Sequence, residues 1–233
     1  MLELHDVEFK YPEFTLGPLN WSVPRGARCA LVGRNGAGKS TLLALLAGQL
    51  MPDRGRLSLF GADRLGVDVD VRQRVALVSL DAIGCPWMTV AEHLGFVGNF
   101  YRNWNESQAR ELARALSLPL EARLSGLSRG TALKVALCTA WGQSAELLLL
   151  DEPTAGLDPV ARHELLRQLD AHLSTHEELS VIIATHILED LDAMHADQLF
   201  ALRDGRGHAI SVSRGTGDPR LSDVAREILL DAA

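Results

Sequence analysis

The sequence predicts an α/β chain on a mostly parallel sheet, and three observations carry that prediction. Strands alternate with helices along most of the chain. "ELLLLD" and "LSVIIAT" are continuous apolar runs, the pattern of strands covered on both faces. A glycine-rich loop, "GRNGAGKST", joins a buried-type strand to a helix.

Taken in order, "LELHDVEF" and "RGRLSLFG" alternate apolar and polar residues and read as short strands. "ARCALVG" is a buried-type strand. "KSTLLALLAGQL" follows as a helix closed by Gly48 and stopped by Pro52. "RVALVS" is another strand. Residues from about Thr89 to Leu118 read as helix in two pieces, the second with Asn105 as N-cap and Gln108 three residues on. "SRGTALKVALCTAW" is a helix, "ELLLLD" a strand, "PVARHELLRQLDAHL" a helix and "LSVIIAT" a strand. The helical stretch from 89 to about 126 interrupts the alternation and reads as an inserted subdomain.

Composition bounds the function. The 233 residues suffice for one large domain with its own core. A net charge of −7 offers no basic excess for phosphates over a wide area, so no nucleic-acid partner is expected. Cys29, Cys85 and Cys138 are scattered without a C-x-x-C and read as small apolar residues in a reducing compartment. "MLELHDVEFKYPE" has no leader pattern, and no apolar run reaches the ~20 residues of a membrane span. The chain is expected in the cytosol, with a membrane partner still open.

Gly33, Gly38, Lys39 and Ser40 fit the phosphate-loop pattern. Glycines let backbone N–H groups curl around phosphate oxygens. The helix beginning at Lys39 turns its positive end toward the anion. The Lys39 ammonium reaches the outer phosphates, and the Ser40 hydroxyl can ligate Mg²⁺. In open α/β sheets ligands bind beyond the carboxyl ends of the strands. Asp151, ending "ELLLLD", would therefore stand beside that loop and hold Mg²⁺ directly or through water. Glu152, one residue on, would take a proton from an attacking water.

"GRNGAGKST", "LSRGT", "LLLLDEPTAGLD" and "ATHILEDLD" occur in the order and spacing of the ATP-binding cassette (ABC) ATPases, the nucleotide-binding subunits of ABC transporters, and the chain resembles that family from "VEFKYPEF" to about "RDGRG". The resemblance implies the family fold: a phosphate-loop NTPase core with a mostly parallel sheet, an N-terminal antiparallel β region and an inserted helical subdomain. It implies one cassette domain over 1–233, with the helical subdomain at about 85–130 and a short C-terminal extension at about 213–233. It implies ATP and Mg²⁺ as cofactors, ATP being held by Tyr11, stacking on adenine, and by Gly33, Arg34, Asn35, Gly36, Ala37, Gly38, Lys39, Ser40 and Thr41, with Ser40 and Asp151 at the metal. Glu152 is the implied general base and His186 the switch histidine, contacting the terminal phosphate and orienting the water. Ser128, N-cap of its helix, and Gly130 belong to the signature, which acts on the terminal phosphate of a second subunit in a head-to-tail dimer with two ATPs. Asp158 resembles the aspartate that bridges the subunits.

The sequence departs from the family at Leu80, where Gln or Glu is usual, with Asp81 next, and at Arg129 and Thr131 of the signature, where Gly and Gln are typical. The expected function is the ATPase subunit of a membrane transporter, an exporter, because the chain ends soon after the cassette. It would sit on the cytoplasmic side of the inner or plasma membrane, peripheral through a membrane-spanning permease subunit, and pair with a second copy of itself or a related ATPase subunit. The alternative is a soluble cassette ATPase that drives assembly or remodelling of a cytosolic complex. Of the insert's aromatics, Trp87, Phe96, Phe100, Tyr101 and Trp104, most are expected in its small core, with Trp87 and Trp104 exposed. His172 and His176, four apart on a helix, lack a third ligand and read as structural.

Overall fold

The structure, a computed structural model, describes residues 1–63, 68–79, 84–211 and 220–230. Leu80 and Asp81 lie outside the described residues. Two sheets organise the chain. Strands β1 (Leu2–Tyr11), β2 (Phe14–Val23), β4 (Arg54–Leu59) and β5 (Ala62–Asp63) form an antiparallel sheet in the order β2-β1-β4-β5. Strands β3 (Arg28–Gly33), β6 (Val75–Val78), β7 (Leu147–Asp151), β8 (Ser180–Thr185), β9 (Gln198–Arg203) and β10 (Arg206–Ser211) form the second, ordered β10-β9-β3-β8-β7-β6. Every neighbouring pair of this second sheet is parallel except β9–β10, a hairpin.

The helices are α1 (Lys39–Ala47), α2 (Val69–Gln73), α3 (Val90–Gly98), α4 (Glu106–Ala115), α5 (Arg129–Gly142), α6 (Pro159–Thr175), α7 (Glu189–Ala193) and α8 (Leu221–Leu230). The apolar runs are apolar on both faces because both faces are covered. Leu147 and Leu149 of β7 join Ile182 and Ala184 of β8 in a core closed by α1 and the antiparallel sheet. Leu148 and Leu150 join Val181 and Ile183 in a second core closed by α5 and α6. Burying each such leucine contributes roughly 1.5–3 kcal/mol. A third core sets Leu221 and Ala225 of α8 against Leu191 of α7 and Val32 and Leu199 of the sheet.

At its other end β7 is pinned by charge. Arg74 donates to both oxygens of Glu146, the residue before the strand, and Arg25 lies 3.2 Å from the same carboxylate. The Arg74 hydrogen bonds hold the Glu146 carboxyl below the usual carboxylate range.

Helix α5 is the link to the inserted helices. Leu133, Leu137 and Trp141 face the sheet, while Val135 and Cys138 face Val90 and Leu94 of α3 and Ala113 of α4. Asn105 caps α4 by accepting from the Gln108 N–H, as its position predicts. Thr89 and Glu92 form a reciprocal capping box on α3 that the sequence reading did not pick out.

Three aromatic expectations are corrected. Trp104 is half-buried, not exposed: it packs between Gly98 and Gly142, where an added Cβ would come within 2.7 and 2.4 Å of the indole, and its Nε1–H donates to Glu106. Phe96 and Phe100 are exposed rather than core, meeting edge to face on the outer side of α3, because the faces of α3 toward α4 and α5 are filled by Val90 and Leu94. Trp87 is exposed as expected. Cys29 and Cys138 are buried, and burial pushes both thiols up to about 12, in keeping with small apolar residues. His172 and His176 stack 4.0 Å apart, and His172 packs on Trp141.

Candidate functional site

The site forms where β3, β7 and β8 end. Strand β3 lies between β8 and β9 and closes at Gly33, where a Cβ would fall 2.5 Å from the Leu202 carbonyl oxygen. The chain then turns through Gly36 (φ +81°) and Gly38 (φ +104°), left-handed conformations that side chains with a Cβ rarely adopt. Helix α1 starts directly after Gly38, with no side-chain cap and no acidic residue in its first turn. Its first-turn N–H groups have no intrahelical acceptor and sit at the positive end of the helix. The loop therefore presents a ring of donors where an anion would bind. Of the other loop residues, Arg34, Asn35 and Ser40 are exposed, Thr41 is half-buried, and Ala37 is buried and anchors the loop, its N–H donating to the Arg34 carbonyl at 3.1 Å.

Lys39 is buried. Its Nζ donates to the Gly33 carbonyl at 2.9 Å and lies 3.4 Å from Glu152 Oε1. Glu152 comes from the far side. Its N–H donates to the Ala184 carbonyl of β8, and φ +48° swings its carboxylate out of the strand direction toward Lys39. Its other oxygen, Oε2, is 2.7 Å from His186 Nδ1. A carboxylate acceptor at that distance makes Nδ1 the protonated nitrogen. Three residues expected to act together, Lys39, Glu152 and His186, thus share one carboxylate. His186 bonds the general-base candidate itself, an arrangement the sequence did not suggest.

Asp151 ends β7 opposite Ala184 of β8, one residue before this cluster. The donor set fits Mg²⁺: a carboxylate at Asp151 and a hydroxyl at Ser40 are hard oxygen donors of the kind that ion takes alongside phosphate oxygens. Among the described residues no group of three His, Cys, Asp or Glu side chains is placed to hold a metal.

The remaining candidates lie farther out. Ser128 caps α5, accepting from the Thr131 N–H at 3.2 Å, with its hydroxyl 2.9 Å from that of Thr131. Gly130 faces Leu157: an added Cβ would fall 2.9 Å from Leu157 Cδ2. Asp158 caps α6, its Oδ1 accepting from the N–H groups of Val160 and Ala161 at 3.0 Å. Tyr11 ends β1, exposed, with its ring edge-on to Phe9 at 5.0 Å. Phe14, which sequence reasoning passed over, borders the phosphate loop: a Cβ on Gly38 would fall 3.0 Å from its Cζ. Its place three residues after Tyr11, across a two-residue turn, was the available signal.

Residues 16–155 match the family model described as ABC transporter. A thiamine import ATP-binding protein of Jannaschia sp. is 33% identical over 211 residues, covering 88% of this chain and 90% of its own. A Nod factor export ATP-binding protein of Burkholderia orbicola is 32% identical over 216 residues, covering 88% and 68%. An energy-coupling factor transporter ATP-binding protein of Methanospirillum hungatei is 33% identical and covers 96% of this chain, but the chain spans only 57% of its length. A solved structure described as the ATP binding subunit of an ABC transporter superposes with a TM-score of 0.78 at 28% identity, covering 100% of this chain and 97% of its own.

Proposed function

We propose, from the premise that this chain belongs to the ABC transporter family and is one of its ATPases, that it binds Mg-ATP on the loop 33–41 and hydrolyses it while paired head-to-tail with a second cassette on a membrane-spanning permease. The observation that carries this is the shared carboxylate of Glu152, held between Lys39 and His186 at the ends of β3, β7 and β8.

The residues divide the work as follows. The N–H groups opening α1 and the Lys39 ammonium bind the phosphates. Ser40 and Asp151 would hold Mg²⁺, which supplies charge neutralisation at the phosphate oxygens when bound. Arrival of a terminal phosphate gives Lys39 a stronger anion than the carboxylate it shares at rest. Glu152 is then free to accept a proton from water at Oε1, while His186 Nδ1–H continues to orient Oε2. Ser128 and Gly130, at the start of α5, would complete the site of the partner subunit, with Asp158 near the seam. Tyr11 would stack on the base.

The permease would approach the insert. A groove of about 430 Å³ runs between β6 and the helices α3 and α5, with Gln73, Phe100 and Tyr101 at its edge. No helix among the described residues is long and apolar enough to cross a membrane, so attachment would run through that partner. A relative named for import and one named for export are similar to the same degree, 33% and 32% identical.

Phosphate release from the purified protein, measured with Mg-ATP and again with excess EDTA, tests the reading. Metal-dependent turnover supports it. Release that is absent in both conditions, in the presence as well as the absence of its co-purified permease, overturns it.

A further inference from the structure

We infer that Asp190 is a positioning residue for this hydrolysis: one buried carboxylate fastens the loop that carries Glu152 and the helix capped by Asp158 to the segment that carries His186. The inference rests on the reading above of Glu152 and His186 as the working pair.

Asp190 is 0% exposed, a location that a carboxylate tolerates only when both oxygens are bonded. Both are. Oδ2 accepts from the Thr154 hydroxyl, and Oδ1 accepts from Arg162 Nε at 2.6 Å. Thr154, itself buried, lies two residues after Glu152, and Arg162 four residues after Asp158, to whose carbonyl its N–H donates at 2.9 Å. Asp190 lies four residues after His186, and its own N–H donates to the Ile187 carbonyl at 3.1 Å. Thr154 and Arg162 lie 36 and 28 residues from Asp190 in sequence, and this carboxylate is where their side chains meet.

The geometry needs such a tie. The 152–158 loop is held locally by two turn bonds, Ala155 N–H to the Glu152 carbonyl and Leu157 N–H to the Thr154 carbonyl. Neither reaches the His186 segment. The loop meets that segment at its first residue, where the Glu152 N–H donates to the Ala184 carbonyl and the Glu152 carboxylate contacts His186, which is about half exposed. Beyond Glu152 itself, the rest of the loop is fixed to that segment by the buried Thr154–Asp190 bond. Arg162 gives the anchor its charge balance and extends it to α6. Glu189, 3.7 Å from Arg162 Nη2, is the other charged group facing this ion pair among the described residues.

The carboxylate of Asp190 bonds Thr154 and Arg162 rather than the phosphate loop or Lys39, so its loss should disturb chemistry rather than binding. Thr154→Val removes one bond at nearly constant volume, Thr154→Ser keeps it, and Asp190→Asn removes the charge. With Mg-ATP, Thr154→Val and Asp190→Asn should each lower kcat about tenfold or more, leaving the KM for ATP close to the parent, while the melting temperature falls because a buried group loses its partner. Thr154→Ser should restore kcat. The double variant should be no slower than the worse single one, because both act through one carboxylate. Independently of turnover, amide exchange in the nucleotide-free protein should quicken at Ala155, Leu157 and Ile187 in Thr154→Val, and stay unchanged at Leu42 in α1. Parent-like kcat in both variants, KM rising in step with the loss of kcat, or unchanged exchange at Ala155 and Leu157 would each overturn the inference. A parent that fails to hydrolyse ATP removes the ATPase reading instead, and the exchange measurement still decides whether the tie exists.

Discussion

Lys39 Nζ stands 3.4 Å from Glu152 Oε1, so the cation expected to receive phosphate is already engaged by the carboxylate expected to receive a proton. Phosphate and Glu152 therefore compete for Lys39. Glu152→Gln should remove the competition and the base together. Turnover should fall by about 10²–10⁴, while equilibrium ATP binding, followed by titration calorimetry, should be unchanged or tighter. Weaker binding in the variant would mean that the carboxylate supports the loop rather than competing with its ligand.

Among the described residues of its own chain, Ser128 caps α5. Ser128→Arg should therefore cost about 1 kcal/mol of stability and leave the ATP affinity of the single subunit intact. If the signature acts across a dimer, the same change should abolish ATP-dependent dimerisation, read by size-exclusion chromatography in the Glu152→Gln background. A dimer peak that persists contradicts the proposed pairing.

Gly205 turns the β9–β10 hairpin at φ +77°, where a Cβ would lie 1.9 Å from the Thr15 carbonyl oxygen. Gly17 N–H donates to the Gly205 carbonyl at 2.6 Å, so this turn is seated on β2. Gly205→Ala should destabilise the fold by about 2–5 kcal/mol, adding backbone strain to a backbone clash. The urea midpoint should drop accordingly. An unchanged midpoint would show that the hairpin sits on β2 more loosely than this.

His172 sets a pH dependence of stability. Burial, with the neighbouring His176 charge, lowers its pKa from 6.5 to about 4. The unfolded chain then takes up a proton near pH 6.5 that the folded protein refuses until near pH 4. Stability due to this group is full above pH 6.5 and declines progressively between 6.5 and 4. Melting temperatures between pH 7 and 4.5 should fall more steeply for the parent than for His172→Leu. Parallel curves would place the titration elsewhere.

The core of this site was open to reading because local rules fix it. Gly33, Gly38 and Lys39 sit in a pattern with one chemical purpose, and the switch from Leu150 to Asp151 marks a strand end at the ligand edge. Strand β2 was harder: Gly17 and Pro18 interrupt its alternation, and strands with either residue inside are poor candidates by pattern. The β9–β10 hairpin, by contrast, carried an Asp204-Gly205 turn, a strong signal that the sequence reading passed over. The outward Phe96 and Phe100 and the inward Trp104 could not be sorted, because periodicity shows that a helix has an apolar face but not which neighbours fill it. The Thr154–Asp190–Arg162 junction was beyond reach for the same reason, since only tertiary structure brings those segments together.

Strand β7 leads directly to Asp151 and Glu152, and four consecutive leucines give it no preferred alignment. Sliding it by one residue against β6 and β8 exchanges leucine for leucine on both faces, a move that ordinarily exposes a strand's apolar side. The same slide would set Glu152 where Asp151 belongs. A charged mark stands at its far end, where Arg74 and Arg25 grip Glu146. Asp151, proposed at the metal, and Glu152, the proposed base, thus follow an ion pair roughly 17 Å away, at ~3.3 Å per residue. Glu146 acts as the zero mark of that ruler, and a mutation there would be felt at the opposite edge of the sheet as a misregistered base.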